Sequence, residues 1–220
     1  ASDECVLEIG AGKGHITRAL LDACREVVAY EVDPALCESL RQSLGGRENF
    51  RLVPGDFLAA PLPARGEYKV FSNIPFSITT AIVRKLANAP NPPTEMWLIV
   101  EKGAAKRFLG TPRETAMSLC LKPIFEMRIG YHFARADFHP MPNVDCVLLH
   151  MVRKQTPDLR PCERAAFSAF VEGGAARFLT KKQISTALRL AGLSPIGPSG
   201  ETLYVQWLCL FRCHRRFCGK

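Results

Sequence analysis

The sequence has 220 residues, of which 47% are hydrophobic and 23% are charged, as is ordinary for a globular protein. This length can hold one full α/β domain and a smaller appendage. No apolar run approaches the roughly 20 residues that a membrane-spanning helix needs, so we expect no membrane segment. The nine Cys residues are scattered and odd in number, which argues against a disulfide framework and favours a reducing cytoplasm.

The formal net charge of +8 is concentrated near the C-terminal end of the sequence. Residues 161–220 contain 9 Lys and Arg against 3 Asp and Glu, whereas residues 1–160 contain 20 against 18. A segment this basic indicates a polyanionic partner such as a nucleic acid. A solvated helical face with no partner explains the charge equally well.

Up to about residue 110, apolar runs typical of buried strands alternate with amphipathic runs typical of helices. The predicted strands are CVLEIG, VVAYEVD, FRLVPGD, YKVFSNIP and EMWLIVEKG. The predicted helices between them are HITRALLDAC, PALCESLRQSL and ITTAIVRKLANA. This alternation predicts βαβ units, and therefore a parallel sheet with right-handed crossovers.

The remaining segments predict an antiparallel sheet edge and a helical end. After a helical stretch, ETAMSLCLKPIF, come two β-rich segments, EMRIGYHFA and VDCVLLHMVRK. They are too close in sequence for a crossover helix, so we expect them to pair antiparallel. The linker-like QTPDLRP precedes three helical segments, CERAAFSAFVEGGAARF, KKQISTALRLAG and ETLYVQWLCLFRCHRRF. We therefore predict an α/β domain over residues 1–156 and a basic helical domain over residues 157–220.

Three predicted strand ends carry residues suited to an adenosine-bearing cofactor. The first strand runs into EIGAGKGH, where Gly10 and Gly12 allow a sharp turn and a close approach to a ligand. Glu31 lies 21 positions after Gly10, near the offset at which a carboxylate meets ribose hydroxyls. Asp33 is a rival acid, but Glu31 is closer to the strand end. Asp56 follows the third strand and is suited to accept from an adenine amine. A tight turn without function is the alternative for the glycines alone.

The segment FSNIPFSITT, residues 71–80, predicts where the chemistry takes place. The side-chain oxygen of Asn73 and the backbone carbonyl of Ile74 offer two acceptors to an exocyclic amine. Pro75 fixes the backbone without an N–H, and Phe76 presents a flat face to a base. Two such acceptors suit methyl transfer to an aromatic amine, because they direct its delocalised lone pair toward the methyl group. A strand-ending turn with a core Phe is the alternative.

A resemblance to a known family is carried by six segments spread over essentially the whole chain: VLEIGAGKGHIT, YEVDPALC, GDFL, SNIPFSIT, VEKGAAKRF and FHPMPNVDCVLLHM. They look like the successive motifs of the rRNA adenine N6-methyltransferases. The resemblance implies S-adenosylmethionine as cofactor, a Rossmann-like class I methyltransferase sheet and a small α-helical C-terminal domain.

The resemblance also implies roles for the residues that bind the cofactor. It assigns Gly10 and Gly12 to the cofactor loop, Glu31 to the ribose and Asp56 to the cofactor's adenine amine. Asn73 goes to the position where the cofactor and the target amine meet. The family also has an N-terminal segment that closes over the cofactor, whereas this chain begins at the first strand, so we expect that lid to be missing.

For the RNA, the resemblance implies that Phe76 stacks on the target base and that Phe138 flanks its other face. Lys106 and Arg107 fall in a segment that resembles the RNA-facing helix of the family. The family usually has Tyr where Phe76 stands; loss of the hydroxyl keeps the stacking face, so we expect activity to persist.

The family has two main bacterial branches, which differ in substrate. The Erm branch methylates one adenine of 23S rRNA and confers resistance to macrolides, lincosamides and streptogramin B. The KsgA branch dimethylates two adjacent adenines of 16S-type rRNA. The segments NIPF, YEVDPALC and VEKGAAKRF look more like the Erm branch, so we predict a 23S rRNA methyltransferase that acts as a cytoplasmic monomer.

Several alternatives remain at this stage. They are a KsgA-type dimethyltransferase and a non-catalytic nucleic-acid-binding relative, although the set Glu31, Asp56 and Asn73 speaks against the latter. A small-molecule methyltransferase would not need the basic tail, and a DNA adenine methyltransferase would need a larger recognition domain.

The last predicted helix is rich in potential metal ligands, but we predict no metal site. The spacing of its Cys and His residues is not a standard zinc pattern. The residues concerned are Cys209, Cys213, His214 and Cys218. We expect His132 and His139 to be ordinary packing or turn residues.

Overall fold

The computed structural model describes residues 2–197 and 200–218, apart from the side chains of residues 2 and 218, and it divides into two compact units. The first unit takes in residues 1–105 and 126–154, and the second takes in residues 106–125 and 155–220. The second unit therefore includes a segment that the sequence analysis assigned to the α/β domain. Among the described residues, no helix has both the length and the apolar character needed to cross a bilayer.

A seven-stranded mixed sheet forms the first unit. The strand order is β3-β2-β1-β4-β5-β7-β6. Neighbouring strands from β3 to β5 are parallel, and β7 is antiparallel to β5. The strands are β1 (Ser2–Ile9), β2 (Cys24–Glu31), β3 (Phe50–Pro54), β4 (Lys69–Asn73), β5 (Glu95–Glu101), β6 (Phe125–His132) and β7 (Cys146–Arg153). The predicted α/β class is confirmed, and the two predicted β-rich segments are neighbours at one edge of the sheet, as β6 and β7.

Helices connect the parallel strands and form most of the second unit. Their bounds are α1 (His15–Ala23), α2 (Pro34–Leu44), α3 (Thr79–Asn88), α4 (Lys102–Leu109), α5 (Ala116–Leu121), α6 (Pro161–Gly173), α7 (Ala175–Phe178), α8 (Lys181–Leu190) and α9 (Tyr204–Cys218). Single turns of 3₁₀ helix cover Phe76–Ile78 and Arg135–Asp137. The segment CERAAFSAFVEGGAARF, predicted as one helix, is divided because Gly174 has a positive φ of 77°.

The second halves of the inner strands are largely buried, as expected where helices cover both faces of a parallel sheet. Val27 and Ala29 of β2 are fully buried, and Leu40 of α2 packs in the same cluster. Gly14 makes this close packing possible. It has a φ of 76°, and a Cβ at this position would lie 2.8 Å from Leu40 Cδ2.

The second unit has its own aromatic core. Phe170 meets Phe211 edge to face with ring centroids 5.7 Å apart, and it stacks on His214 at 5.3 Å. Leu119 of α5 packs in the same cluster as these phenylalanines. This shared core is the physical reason why residues 106–125 belong with the C-terminal helices.

Candidate active site

The candidate site lies at the carboxyl ends of the parallel strands. Strand β1 has β2 on one side and β4 on the other: the chain runs outward from β1 through β2 to β3 and then crosses back to β4, where the strand order reverses. In open α/β sheets this switch point leaves a crevice outside the strand ends, where ligands bind. The strand-end residues singled out from the sequence all lie along this edge.

The glycine loop after β1 is held against the end of β2 by backbone hydrogen bonds. The N–H groups of Gly10 and Ala11 donate to the carbonyl of Tyr30 over 2.8 and 3.2 Å. Gly10 and Gly12 both have positive φ, 72° and 58°, which favours glycine. A Cβ at Gly12 would meet no heavy atom within 4 Å, so open space adjoins the loop there.

The carboxylate of Glu31 joins that loop to the end of β2. Its Oε2 accepts from the N–H of Gly12 over 2.8 Å. Its Oε1 accepts from the N–H groups of Val32 and Asp33 over 2.8 and 3.0 Å. A carboxylate has about four acceptor positions, so roughly one is left on Oε2 for a ligand hydroxyl. The side chain is buried and fixed, as a pre-organised binding group requires.

Asp33, the rival acid in the sequence, has a different role. Its Oδ1 accepts from the N–H groups of Ala35 and Leu36 over 2.7 and 3.2 Å. These bonds cap the N-terminus of α2. Asp33 therefore caps α2. Glu31, the last residue of β2, is left as the acid at the strand end.

A second buried carboxylate, Glu8, lies on β1 just before the glycine loop. Glu8 is only 1% exposed, and its Oε2 has no hydrogen-bond partner among the described residues. Burial raises the pKa of Glu8 to about 7; the adjacent Thr17 hydroxyl opposes this rise and the charge of Glu31 adds to it. Glu8 opens the motif EIGAGKGH, but nothing in the sequence predicts a role for it, because burial is the property that distinguishes it.

Asp56 lies in the loop after β3, two residues beyond the strand end. The N–H of Gly55 donates to the carbonyl of Glu31 over 2.7 Å, which brings the loop to the end of β2. Asp56 Oδ1 accepts from the N–H of Leu58 over 2.8 Å, and the side chain is exposed. The next residue, Phe57, is buried and meets Tyr30 edge to face at 5.0 Å.

Lys85 of α3 binds the same loop, a role that was not predicted from the sequence. Its Nζ donates to the carbonyls of Phe57 and Leu58 over 2.7 and 2.8 Å, and also to the carbonyl of Ala60. Desolvation lowers the pKa of Lys85, and the nearby charge of Asp56 opposes this shift. A lysine on an amphipathic helix gives no sign of this role in the sequence.

Asn73 is the last residue of β4, and the strand is tied to β1 just before it. The Ser72 hydroxyl donates to the carbonyl of Ile9 and accepts from the Ile9 N–H over 3.3 Å. A Cβ at Gly10 would lie 3.8 Å from Pro75 Cδ. The glycine loop and the NIPF segment are therefore direct neighbours.

A cavity of about 600 Å³ opens at this point, and three predicted site residues line it: Asn73, Phe76 and Phe138. Phe76 is 36% exposed, so its ring is accessible to a ligand. Phe133 also lines the cavity, although the sequence analysis gave it no role. Further lining residues include His15, Ile16, Ile99 and His139, the last of which was expected to be an ordinary turn residue. The side chain of Ile74 is buried, at 1% exposure.

Lys106 and Arg107, predicted to face RNA, lie in the last turn of α4 and belong to the second unit. Both side chains are exposed, whereas the adjacent Ala105 and Phe108 are buried. The last turn of the helix therefore presents these two cations to solvent.

The cysteine-rich end of the chain is part of the packing of the second unit. Cys209 Sγ donates to the carbonyl of Ala187 over 3.6 Å, and His214 packs against Phe170 and Phe178. No cluster of potential metal ligands occurs within the described part of the chain. The side chain of Cys218 lies outside the described residues.

The family model for ribosomal RNA adenine dimethylases matches residues 2–190. The chain belongs to this family. It is 35% identical over 218 residues to an rRNA adenine N-6-methyltransferase of Lysinibacillus sphaericus, covering 97% of this chain and 86% of that protein. It is 30% identical over 233 residues to a ribosomal RNA small subunit methyltransferase A of Nostoc punctiforme, covering 94% and 82%.

Solved structures give the same result for the fold of this methyltransferase. The crystal structure of the 23S rRNA methyltransferase ErmE matches with a TM-score of 0.81 and 30% identity, covering 96% of this chain and 91% of that chain. A dimethyladenosine transferase of Plasmodium falciparum matches with a TM-score of 0.70 and 18% identity, covering 94% and 79%, and supports the fold alone. The protein is therefore an S-adenosylmethionine-dependent rRNA adenine N6-methyltransferase.

The residues at the strand ends fit that cofactor. Open space adjoins Gly12, and Glu31 keeps an acceptor position for a hydroxyl. Glu8 adds a buried carboxylate oxygen, without a partner among the described residues, directly before the glycine loop. The donors and acceptors of Gly12 and Glu31 thus match a nucleoside.

Proposed function

We propose that the enzyme methylates the N6 amine of a specific adenine in 23S rRNA, and so confers resistance to macrolides, lincosamides and streptogramin B. The observation that carries this choice is the likeness to ErmE, a 23S rRNA methyltransferase, over 96% of this chain. The Erm-like segments NIPF and VEKGAAKRF support it. We further propose that the enzyme acts as a monomer in the cytoplasm.

The cofactor is held by the glycine loop and the acids at the strand ends. Gly10 and Gly12 let the backbone approach it, Glu31 accepts from a ribose hydroxyl, and Asp56 accepts from the adenine amine. When bound, S-adenosylmethionine supplies an electrophilic methyl group. Asn73 lines the cavity, and we assign it to the position where the cofactor and the target amine meet.

The target adenine enters the cavity with its amine toward Asn73. The Asn73 side-chain oxygen and the Ile74 carbonyl accept its two N–H groups, which localises the nitrogen lone pair toward the methyl carbon. With S-adenosylmethionine bound, these two acceptors would hold the amine in position to take up the methyl group, and the amine would afterwards release one proton to water. Phe76 and Phe138 hold the ring on its two faces. A base inside a duplex cannot reach these groups, so the adenine is unpaired or flipped.

The second unit supplies the long-range attraction for RNA. Lys106 and Arg107 are exposed on α4, and Arg215 and Arg216 are exposed on α9. Exposed cations neutralise phosphates and release counterions, so binding should weaken steeply with salt.

A second candidate is methylation of small-subunit rRNA, which the likeness to the Nostoc punctiforme protein favours. Both candidates use the same cavity and the same transfer chemistry. They differ in the RNA that presents the adenine.

Labelled methyl transfer to naked 23S rRNA, and to 16S rRNA within small subunits, distinguishes the two candidates. We expect label in 23S rRNA, and expression in a macrolide-sensitive bacterium should raise resistance. An Asn73→Ala variant serves as the control. It should bind the cofactor but should not raise resistance above that of the sensitive host. Label confined to 16S rRNA, with no change in resistance, would refute the 23S proposal.

A further inference from the structure

A row of three aromatic rings leads from the cavity to the surface of the first unit. Phe138 and Phe133 both line the cavity and meet edge to face, with centroids 5.4 Å apart and planes at 66°. Phe133 meets Tyr131 in the same way, at 4.9 Å and 75°. Tyr131 is not among the cavity-lining residues and is 55% exposed. We call these three residues the aromatic track.

The sheet fixes the direction of the track. Tyr131 and Phe133 are two residues apart on an extended segment, so their side chains lie on the same face. The N–H of Phe133 donates to the carbonyl of Cys146 over 3.1 Å, which fixes the end of β6 against β7. Phe125, on the same face of β6 as Tyr131, is buried, whereas the residues of the opposite face, Gly130 among them, are exposed. Tyr131 therefore continues the packed face of the strand to its exposed end.

We infer that the aromatic track binds the nucleotide next to the target adenine, with its base stacked on Tyr131. Single exposed aromatic side chains are common and need no explanation. Tyr131 differs because its ring continues, through Phe133, a wall of the cavity that we assign to the target base. The inference thus rests on that assignment, but it holds for either candidate rRNA.

The charges near the track favour a base over a phosphate. Arg135 is paired with Asp145 over 3.1 Å, and Asp137 accepts from the N–H of Ala134 over 2.9 Å. A surface that offers aromatic rings beside internally paired charges suits a flat, neutral ring. Every nucleobase has such a face, and stacking on aromatic side chains is a common way to bind unpaired RNA.

The track explains how the enzyme keeps an adenine outside its stack. A flipped base loses its stacking contacts on both sides, and its neighbour loses one. A ring beside the cavity restores a partner to that neighbour. Stacking of the neighbour on Tyr131 therefore compensates part of the cost of flipping.

The test combines Tyr131 variants with RNA that lacks one base. The substrate is the rRNA fragment that the wild-type enzyme methylates, prepared intact and with an abasic nucleotide directly 5′ or directly 3′ of the target adenine. We expect Tyr131→Ala to raise the KM for intact RNA roughly 5- to 150-fold, the range reported for loss of one base–aromatic stack. Tyr131→Phe should stay within about twofold of wild type, and cofactor affinity measured by calorimetry should be the same in all variants.

The abasic RNAs separate stacking from a general defect. With the abasic nucleotide at one of the two flanking positions, the KM of the wild-type enzyme should rise as much as the Tyr131→Ala substitution raises it for intact RNA. The KM of Tyr131→Ala should not rise further on that abasic RNA. Leu190→Ala, which truncates another exposed apolar side chain at 74% exposure, is the matched control and should show the full abasic effect. Equal abasic effects in wild type and Tyr131→Ala at both positions would overturn the inference, as would an unchanged KM. The identity of the methylated rRNA tests the proposed function separately.

Discussion

The N–H of Gly12 donates to Oε2 of Glu31 over 2.8 Å, across 19 residues of sequence. This bond joins the glycine loop after β1 to the end of β2, so the two predicted cofactor elements form one rigid unit. Because Glu31 also accepts from Val32 and Asp33, its carboxylate is oriented before any ligand binds. Such pre-organisation lowers the entropy that binding must offset.

Glu31→Gln should weaken S-adenosylmethionine binding roughly 5- to 150-fold, because about 1–3 kcal/mol is lost when polar groups are left unpaired. The amide has one acceptor oxygen in place of two, and its NH₂ group faces N–H donors. Calorimetry measures the affinity. Asp33→Asn is the matched control, since Asn caps a helix as well as Asp does. An unchanged affinity in Glu31→Gln would remove Glu31 from the site.

Glu8 should make the free enzyme less stable as pH rises from about 4.5 to about 7. The folded-state pKa is raised from 4.5 to about 7, so in this window the native state binds more protons than the unfolded chain. The free energy of unfolding therefore falls by at most about 3 kcal/mol as pH rises through this window, and it levels off above pH 7. Glu8→Gln should remove this component, so the variant gains stability over wild type as pH rises. Urea denaturation of both proteins between pH 5 and 8 checks it, and parallel pH profiles would show that Glu8 does not titrate in this range.

Phe76→Tyr should remain active, whereas Phe76→Ala should lose roughly 5- to 150-fold in kcat/KM for RNA. The Tyr ring keeps the stacking face, and removal of the ring costs about 1–3 kcal/mol per stacked base. Methyl transfer to rRNA gives the readout, with cofactor affinity as the control for folding. Near-normal turnover in Phe76→Ala would exclude a stacking role.

Lys85→Met should loosen the loop after β3. Three backbone carbonyls lose their donor, so we expect a loss of about 1–3 kcal/mol in stability and faster amide exchange at residues 57–60. Arg84→Met, on the exposed face of the same helix, should leave that exchange unchanged. Equal exchange in the two variants would mean that Phe57 alone holds the loop.

Arg215→Ala combined with Arg216→Ala should lower the salt dependence of RNA binding. Each lost phosphate contact reduces the slope of log K against log salt by about 0.7 for single-stranded RNA, so the pair should reduce it by up to about 1.4. Arg41→Ala on α2 is the control. An unchanged slope would show that these cations do not meet phosphate. Deletion of residues 161–220 is a poorer test, because it would expose Leu119 and the rest of its core.

The sequence by itself determined that the candidate site residues follow successive strands of a parallel sheet. Parallel strands end at one edge of a sheet, so Gly10, Glu31, Asp56 and Asn73 were predictable as neighbours from their places after successive strands. The apolar pattern also predicted the two edge strands. Their antiparallel pairing was predictable because no crossover helix fits between them. These inferences depend on local pattern and on chain length alone.

Only the tertiary structure decided which side chains have a role beyond their motif. The burial of Glu8, the clamp made by Lys85 and the row from Phe138 to Tyr131 all depend on contacts between elements distant in sequence. The same holds for residues 106–125, which join the second unit because Leu119 needs an apolar partner that the C-terminal helices supply. Burial and register are properties of packed elements, so no spacing of residues along the chain reveals them.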